Sequence, residues 1–304
     1  TPEYRCAVAM NIVLRRQLLP HHAVGLTAYK DGWKSGRLFF LVPWRDRTMV
    51  GTYLRPHDGR PDSLKVTSED CRTFVSNLNL AYPAAHLGNE DIAFIHAGLM
   101  PATDKNVEQG MEPGLLNHFQ ILDHAPADGI NGLITVLGVK WTTARDVAQC
   151  TLAAVRSKLG QHGAPAPTPI RPLPGGDMAN VAAIVSEAVQ AGLPEARAQH
   201  LVRCYGTRYS NVLHTGNGDP DLLMPLGEST CVTGSEVLHA VREEVALTLA
   251  DVVLRRTELG SAGMPADDAL MKAARIMATE LGWDAARLAW ELADLRALPC
   301  WPVM

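Results

Sequence analysis

Residues 132–145 read GLITVLGVKWTTAR, the stretch of this chain with the most evident potential for chemistry. An apolar strand runs into Gly138, Val139 and Lys140, and Thr142-Thr143 then opens a helix expected to reach about Lys158. Gly138 lets a ligand approach the backbone, Lys140 supplies a cation, and a helix start offers unpaired N–H groups. Such a start favours negative charge, either a phosphate or the anionic end of a reduced flavin. A plain strand-turn-helix with a surface lysine carries the same pattern, because a single Gly-x-Lys is a short signal.

The histidines are the next candidates. His96 ends an apolar strand and reads either as a packed imidazole or as a catalytic base. His118 and His124 flank a further strand and read as turn or surface residues, with a role in a site as the alternative. His21-His22 has no third ligand in view. The six cysteines (Cys6, Cys71, Cys150, Cys204, Cys231, Cys300) form no C-x-x-C pair and have no histidine at zinc-finger spacing, so no metal site is read here. Free thiols of a reducing, cytoplasmic compartment are expected. Arg255-Arg256, at a helix end, reads as a solvated pair that suits the helix dipole.

The elements that must position these residues fall into two kinds. Before residue 160 the pattern is mainly strand. Arg37–Val42 and Asp46–Tyr53 flank Pro43-Trp44 as a hairpin, with Thr48, Val50 and Thr52 alternating against Met49, Gly51 and Tyr53. Ile92–His96, His118–Leu122 and Leu133–Leu137 are further strands, and a helix over Ser68–Tyr82 starts well at Thr67-Ser68-Glu69-Asp70. This predicts an α+β region with a mixed or antiparallel sheet and a crossing helix. Residues 160–176, GQHGAPAPTPIRPLPGG, can hold neither helix nor central strand. Beyond them, helices are expected over Asp177–Ala191, Pro194–Tyr205, Gly234 to about Arg256, Ala266–Leu281 and Asp284–Leu298, an all-α bundle. The domain reading is therefore 1–160, a linker at 161–176, and 177–304.

Composition sets outer bounds. The 304 residues suit about two domains, and 47% apolar with 20% charged residues is ordinary for a globular protein. A net charge of −4 and 6% aromatics argue against nucleic acid as a partner. No apolar run approaches the roughly 18–20 residues that span a bilayer. The first residue is Thr rather than Met, which suggests a chain that begins partway through a longer product.

Several segments, in order and at compatible spacings, carry a family resemblance: PWRDRTMVGT (43–52), HDGRPD (57–62), EDIAFIHAGLMP (90–101) and GLITVLGVKWTTAR (132–145). LVRCYGTR (201–208), EVLHAVREEVALTLADVVLRRTELG (236–260) and MATELGWDAARLAWEL (277–292) continue it. Together they resemble the FAD-dependent glycerol-3-phosphate dehydrogenases of the D-amino-acid-oxidase-like flavoproteins, over nearly the whole chain. The G-x-G-x-x-G element that opens that family is not found, so the resemblance implies a partner, the N-terminal FAD-binding half of the same protein.

The resemblance implies specific roles. Lys140 matches the lysine of G-G-K-x-T-T beside flavin and substrate; Gly138 matches its first glycine, Val139 replaces the second, and Thr142 and Thr143 match its threonines. Gly138, Val139, Lys140, Trp141, Thr142 and Thr143 are thus the implied flavin contacts; Lys140 from the resemblance, and His96 from its own reading as a base, are the candidate catalytic residues. Trp44, Gly51 and Thr52 fall in the substrate-side hairpin. Met100 stands where A-G-x-R-P carries a phosphate-binding arginine, Asn117 falls near a second such arginine, and Asn11 replaces a histidine. Arg45, Arg47, Arg55, His57, His96, His118 or Lys105 could substitute, and Arg45, Thr52, Arg55, Met100 and His118 make up the expected substrate set. The implied reaction moves hydride from the C2–OH carbon of glycerol 3-phosphate to flavin N5, with electrons passing to a quinone or other acceptor. A divergent flavin oxidoreductase for an unphosphorylated hydroxyl or amine, and a non-catalytic module of the same fold, remain alternatives. A cytoplasmic protein is implied, with room for peripheral contact at the inner face of the membrane and for an oligomer.

Overall fold

In the computed structural model, residues 5–30, 36–103, 112–161 and 171–302 are described. The chain divides into two compact units, Thr1–Pro169 and Ile170–Met304. Pro165, Pro167 and Pro169 of the expected linker lie outside the described residues, as does Lys105.

The first unit is built on a five-stranded antiparallel sheet of order β2-β3-β4-β1-β5. Its strands are β1 (Arg5–Leu14), β2 (Val24–Ala28), β3 (Arg37–Trp44), β4 (Arg47–His57) and β5 (Ile92–Ala102). Helix α1 (Ser68–Ala81) joins β4 to β5. Its start is fixed as the sequence predicts: the Asp70 N–H donates to Thr67 Oγ1 at 3.1 Å, and Asp70 Oδ2 accepts from the Thr67 N–H at 2.8 Å. Met10, Ile12, Leu14, Phe39, Leu41, Val50 and Tyr53 point to one face of the sheet and pack with Phe74 and Leu78 of α1 into a single core. Phe74 stacks between Phe39 and Tyr53, with ring centroids 5.6 Å away in each case.

The alternation expected along β4 breaks. Thr48 and Val50 are buried, but so is Tyr53, whereas Thr52 is exposed. The cause is a bulge: Met10 pairs with Tyr53 and Ile12 with Val50, so Gly51 and Thr52 together stand opposite Asn11. One extra residue shifts the face of everything after it.

A two-stranded ribbon follows, β6 (Gln120–Asp123) and β7 (Ile134–Leu137), bridged by the short helix α2 (His124–Asp128). A 3₁₀ turn at Trp141–Thr143 leads into α3 (Ala144–Lys158), close to the helix expected there. Lys158 Nζ ties the end of α3 to Asp123 Oδ1 at 2.7 Å.

The second unit is helical throughout: α4 (Val181–Gln190), α5 (Glu195–Tyr205), α6 (Tyr209–Thr215), α7 (Pro220–Leu223), α8 (Gly234–Glu244), α9 (Leu249–Asp251), α10 (Asp267–Leu281) and α11 (Ala285–Ala297). The continuous helix expected from Gly234 to Arg256 is corrected to two. Val245 takes a left-handed conformation (φ 58°) and is exposed, the Ala246 N–H donates to Ala240 O, and Thr248 with Asp251 forms a second capping box. After α9 the chain makes a π turn over Val252–Arg256. Val237, Val241, Leu249 and Val252, apolar at three- to four-residue spacings on either side of the break, are buried. Gly282 (φ 68°) ends α10 as expected.

Inside this bundle, buried His200 of α5 faces two carboxylates, Glu236 Oε1 at 2.9 Å from Nε2 and Glu258 Oε1 at 2.8 Å from Nδ1. Burial opposes the imidazolium, but hydrogen bonds to Cys204 and Glu236, with the charge of Glu236, raise its pKa to about 10. Among the described residues, no helix is long and apolar enough to cross a membrane.

Candidate functional site

The face of the sheet away from α1 carries the candidate chemistry. Ile12, Val50 and Leu41 pair across β1, β4 and β3 and point into the core, so their neighbours Asn11, Gly51 and Phe40 point the other way. Asn11 pairs with His96 on β5, Phe40 pairs with Gly51, and Thr52 Oγ1 donates to Asn11 Oδ1 at 3.1 Å. Phe40, Gly51, Thr52, Asn11 and His96 therefore form one row across four strands. Gly51 is needed there: a Cβ at this position would overlap the Asn11 side chain.

His96 closes the row. Its ring meets Phe94 edge-on, with centroids 4.5 Å apart. Partial desolvation of the imidazole shifts its pKa down from the ordinary value, which favours the neutral form that can accept a proton.

Further along the same face of β5, Met100 borders an open cleft of about 970 Å³. Gly138, Val139, Lys140 and Trp141 form one wall, and Val147, Thr151, Leu152 and Val155 of α3 another. The walls are almost wholly apolar. A Cβ at Gly138 would meet nothing within 4 Å, and Trp141 is 96% exposed. Lys140 is also exposed, at the residue preceding the 3₁₀ turn, where its carbonyl accepts from both the N–H and the Oγ1 of Thr143.

The remaining candidates are dispersed. Arg55 lies on the α1 face of β4: its Nε donates to Asp70 Oδ1 at 2.6 Å and its Nη2 to Lys65 O at 2.8 Å. It clamps α1 to the sheet and stands on the face opposite His96. Arg45 sits at the tip of the β3–β4 hairpin, its guanidinium 5.7 Å from the Trp44 ring. At about 3.4 Å per residue, that tip is some 15–20 Å along the hairpin from Phe40 and Gly51. His118 and Asn117 are exposed in the bend before β6. His124 joins α2 to β7, bonding Asp128 Oδ2 at 2.6 Å and Thr135 Oγ1 at 2.8 Å. His57 Nε2 lies 3.0 Å from Arg60 O in the turn after β4.

Comparison with known proteins supplies the family. Residues 166–288 match the C-terminal domain of alpha-glycerophosphate oxidase. A glycerol-3-phosphate dehydrogenase of Synechocystis sp. is 31% identical over 235 residues, covering 76% of this chain and 41% of that protein. One from Pseudomonas aeruginosa is 31% identical over 247 residues, 80% of this chain and 47% of that protein. The chain belongs to the glycerol-3-phosphate dehydrogenase family. Its fold agrees with the structure of the glycerol-3-phosphate dehydrogenase from Bacillus halodurans complexed with FAD, at a TM-score of 0.74 and 20% identity, covering 99% of this chain and 59% of that one. The chain spans less than half the length of these two curated glycerol-3-phosphate dehydrogenases.

The structure gives Asn11 and Met100, singled out by the resemblance, a location. Both lie on the outward face, Asn11 within the row and Met100 at the cleft. Phe40 went unread as a site residue because only strand pairing brings it level with Gly51 and Asn11. A lone exposed aromatic in a hairpin carries no such signal.

Proposed function

We propose that this chain supplies the substrate-side face of an FAD-dependent enzyme that oxidises glycerol 3-phosphate at C2. The observation that carries the reading is the alignment of His96 with Asn11 and Thr52 across the sheet, beside a cleft walled by Gly138–Trp141. The fit to a flavin rests on the same wall: open space at Gly138, an apolar surface for a planar ring, and an exposed ammonium at Lys140. Gly138, Val139, Lys140, Trp141, Thr142 and Thr143 would hold the flavin edge, while the pyrophosphate of FAD is held by an FAD-binding half outside these 304 residues. When bound, FAD supplies the acceptor for the C2 hydride, and the electrons leave to a quinone or other acceptor.

His96 takes the proton of the C2 hydroxyl as the C–H bond breaks, leaving a ketone. Thr52 and Asn11, already joined by a hydrogen bond, orient the substrate hydroxyls. Lys140 stabilises negative charge that develops at the substrate oxygen or flavin edge. Excluding water from the apolar cleft strengthens that contact.

A second reading has its own support. Met100 borders the cleft where the resemblance expects an arginine, and Arg55 is engaged by Asp70, which favours a substrate without a phosphate. Anaerobic bleaching of the flavin by glycerol 3-phosphate, against glycerol, tests both. Bleaching by glycerol 3-phosphate at millimolar concentration or below supports the first reading. Bleaching by neither compound refutes the first. Met100→Arg should improve the phosphate ester selectively, by about tenfold or more, if the second reading holds.

A further inference from the structure

We propose that His200, Cys204 and Glu258 form a divalent-metal site in the helical unit, with zinc as the ion their chemistry suits. The reading is independent of the oxidoreductase site. His200 Nδ1, Cys204 Sγ and a Glu258 carboxylate oxygen all lie within 4.8 Å of one another. Sulfur, imidazole nitrogen and carboxylate oxygen are the three donor types zinc takes from proteins.

Two features of the backbone create the cluster. His200 and Cys204 are four residues apart on α5, hence on one helix face. Glu258 arrives through the π turn, which ends where the N–H and Oγ1 of Thr257 both bond to Val252 O, at 3.0 and 2.7 Å. An unbroken helix over this segment, as the sequence suggests, would not end in that contact.

The distances suit an ion. With metal–sulfur bonds near 2.3 Å and metal–N or metal–O bonds near 2.0–2.1 Å, a tetrahedron has edges of about 3.6 Å to sulfur and about 3.4 Å from N to O. Cys204 Sγ lies 3.9 Å from His200 Nδ1 and 3.8 Å from Glu258 Oε2. The other Glu258 oxygen, Oε1, lies 2.8 Å from His200 Nδ1, a hydrogen bond that must open as one carboxylate oxygen turns to the ion.

The surroundings also fit. A metal-bound imidazole needs a partner for its other N–H, and Glu236 Oε1 accepts from Nε2 at 2.9 Å. Glu236 is itself fixed, by Tyr205 OH at 3.2 Å and by the Thr233 N–H on Oε2 at 2.8 Å. Cys204 is exposed, so the ion has an entry path and water can take the fourth position.

Cobalt(II), added alone to the reduced, chelator-treated chain, reads the site by its thiolate charge-transfer band. One equivalent is expected to bind, with intensity typical of four-coordination, and zinc should displace it. Cys204→Ser, at an exposed position, should abolish the band, whereas Cys150→Ser and Cys231→Ser should leave it. Glu258→Gln should weaken binding at least tenfold while the helical circular dichroism is retained. No band at stoichiometric cobalt, or a band that survives Cys204→Ser, overturns the proposal.

Discussion

His96→Asn separates proton chemistry from architecture. The imidazole makes one defined contact, the edge-on meeting with Phe94 at 4.5 Å, worth about 0.5–1.5 kcal/mol. Its loss should lower stability by no more than that, because Phe94 remains packed by its neighbours in the sheet. A general base contributes about 10²–10⁴-fold to rate, or about 2.7–5.4 kcal/mol of activation free energy. The variant enzyme, loaded with FAD, should therefore lose at least two orders of magnitude in kcat and keep its unfolding midpoint nearly intact. The pH profile gives a second readout. Desolvation holds the His96 pKa below 6.5, so the reactive neutral form dominates at pH 7 and is lost as pH falls through that lowered value. Wild-type kcat should show an acid limb below pH 6.5, and His96→Asn should lack it. Saturating substrate is required, since a phosphate ester also titrates near pH 6. A fall of less than about threefold in kcat, or an acid limb that persists in the variant, refutes the assignment of His96 as the base.

Other expectations follow from the same geometry. Lys140→Met should leave the unfolding midpoint unchanged, because the side chain is exposed, yet lower turnover more than about tenfold, the effect of one lost contact of about 1.4 kcal/mol; unchanged turnover at saturation removes Lys140 from the site. Arg55→Met should destabilise the first unit by about 1–3 kcal/mol in urea titration, since it leaves the buried Asp70 Oδ1 unpaired while Oδ2 keeps its bonds to Thr67. A variant of normal stability with impaired substrate binding would instead return Arg55 to the substrate set. The 304-residue chain alone should elute from gel filtration without flavin absorbance, as its named contacts reach only one edge of the cofactor; retained absorbance contradicts the division of labour proposed for FAD.

How much of this was legible in the sequence depends on the range of the interaction concerned. Helix α1 was readable because Thr67 and Asp70 fix its start within three residues. The hairpin is an equally local signal, although its turn falls at Arg45-Asp46 because Pro43 and Trp44, expected to form the turn, pair with Thr48 and Arg47. The break at Val245 was missed although Thr248-Leu-Ala-Asp251 announces a new helix start, because the apolar stripe on either side runs on in phase and masks it. The packing of Arg55 is hard to read from sequence for a different reason. Its exposure is decided by Asp70 fifteen residues away, and nothing in a single strand shows which face a helix will cover. The bulge is likewise invisible in β4 alone, since it exists only relative to β1. The row of Phe40, Gly51, Thr52, Asn11 and His96 thus needed the pairing of four strands, whereas the Gly138–Thr143 stretch needed only its own residues.

That difference bears on substrate choice. The row across the sheet is neutral: an aromatic, a glycine, a hydroxyl, an amide and an uncharged imidazole. The cleft beside it is mostly apolar, and Lys140 is the one charged group among its described lining residues. A phosphate dianion placed here would claim that ammonium, and the same ammonium is assigned to the charge that develops during hydride loss. One cation does not serve two anionic centres several ångströms apart at full strength, because the Coulomb attraction falls with distance. A phosphate substrate therefore requires a second cation from outside the cleft lining. Arg45 is one candidate, but its place at the hairpin tip, some 15–20 Å from the row, demands a substrate or loop that reaches it. A neutral polyol requires no such addition, and the row already offers it a base and two hydroxyl-orienting groups. The charge balance of this face thus makes phosphate recognition the requirement that its described residues meet least directly.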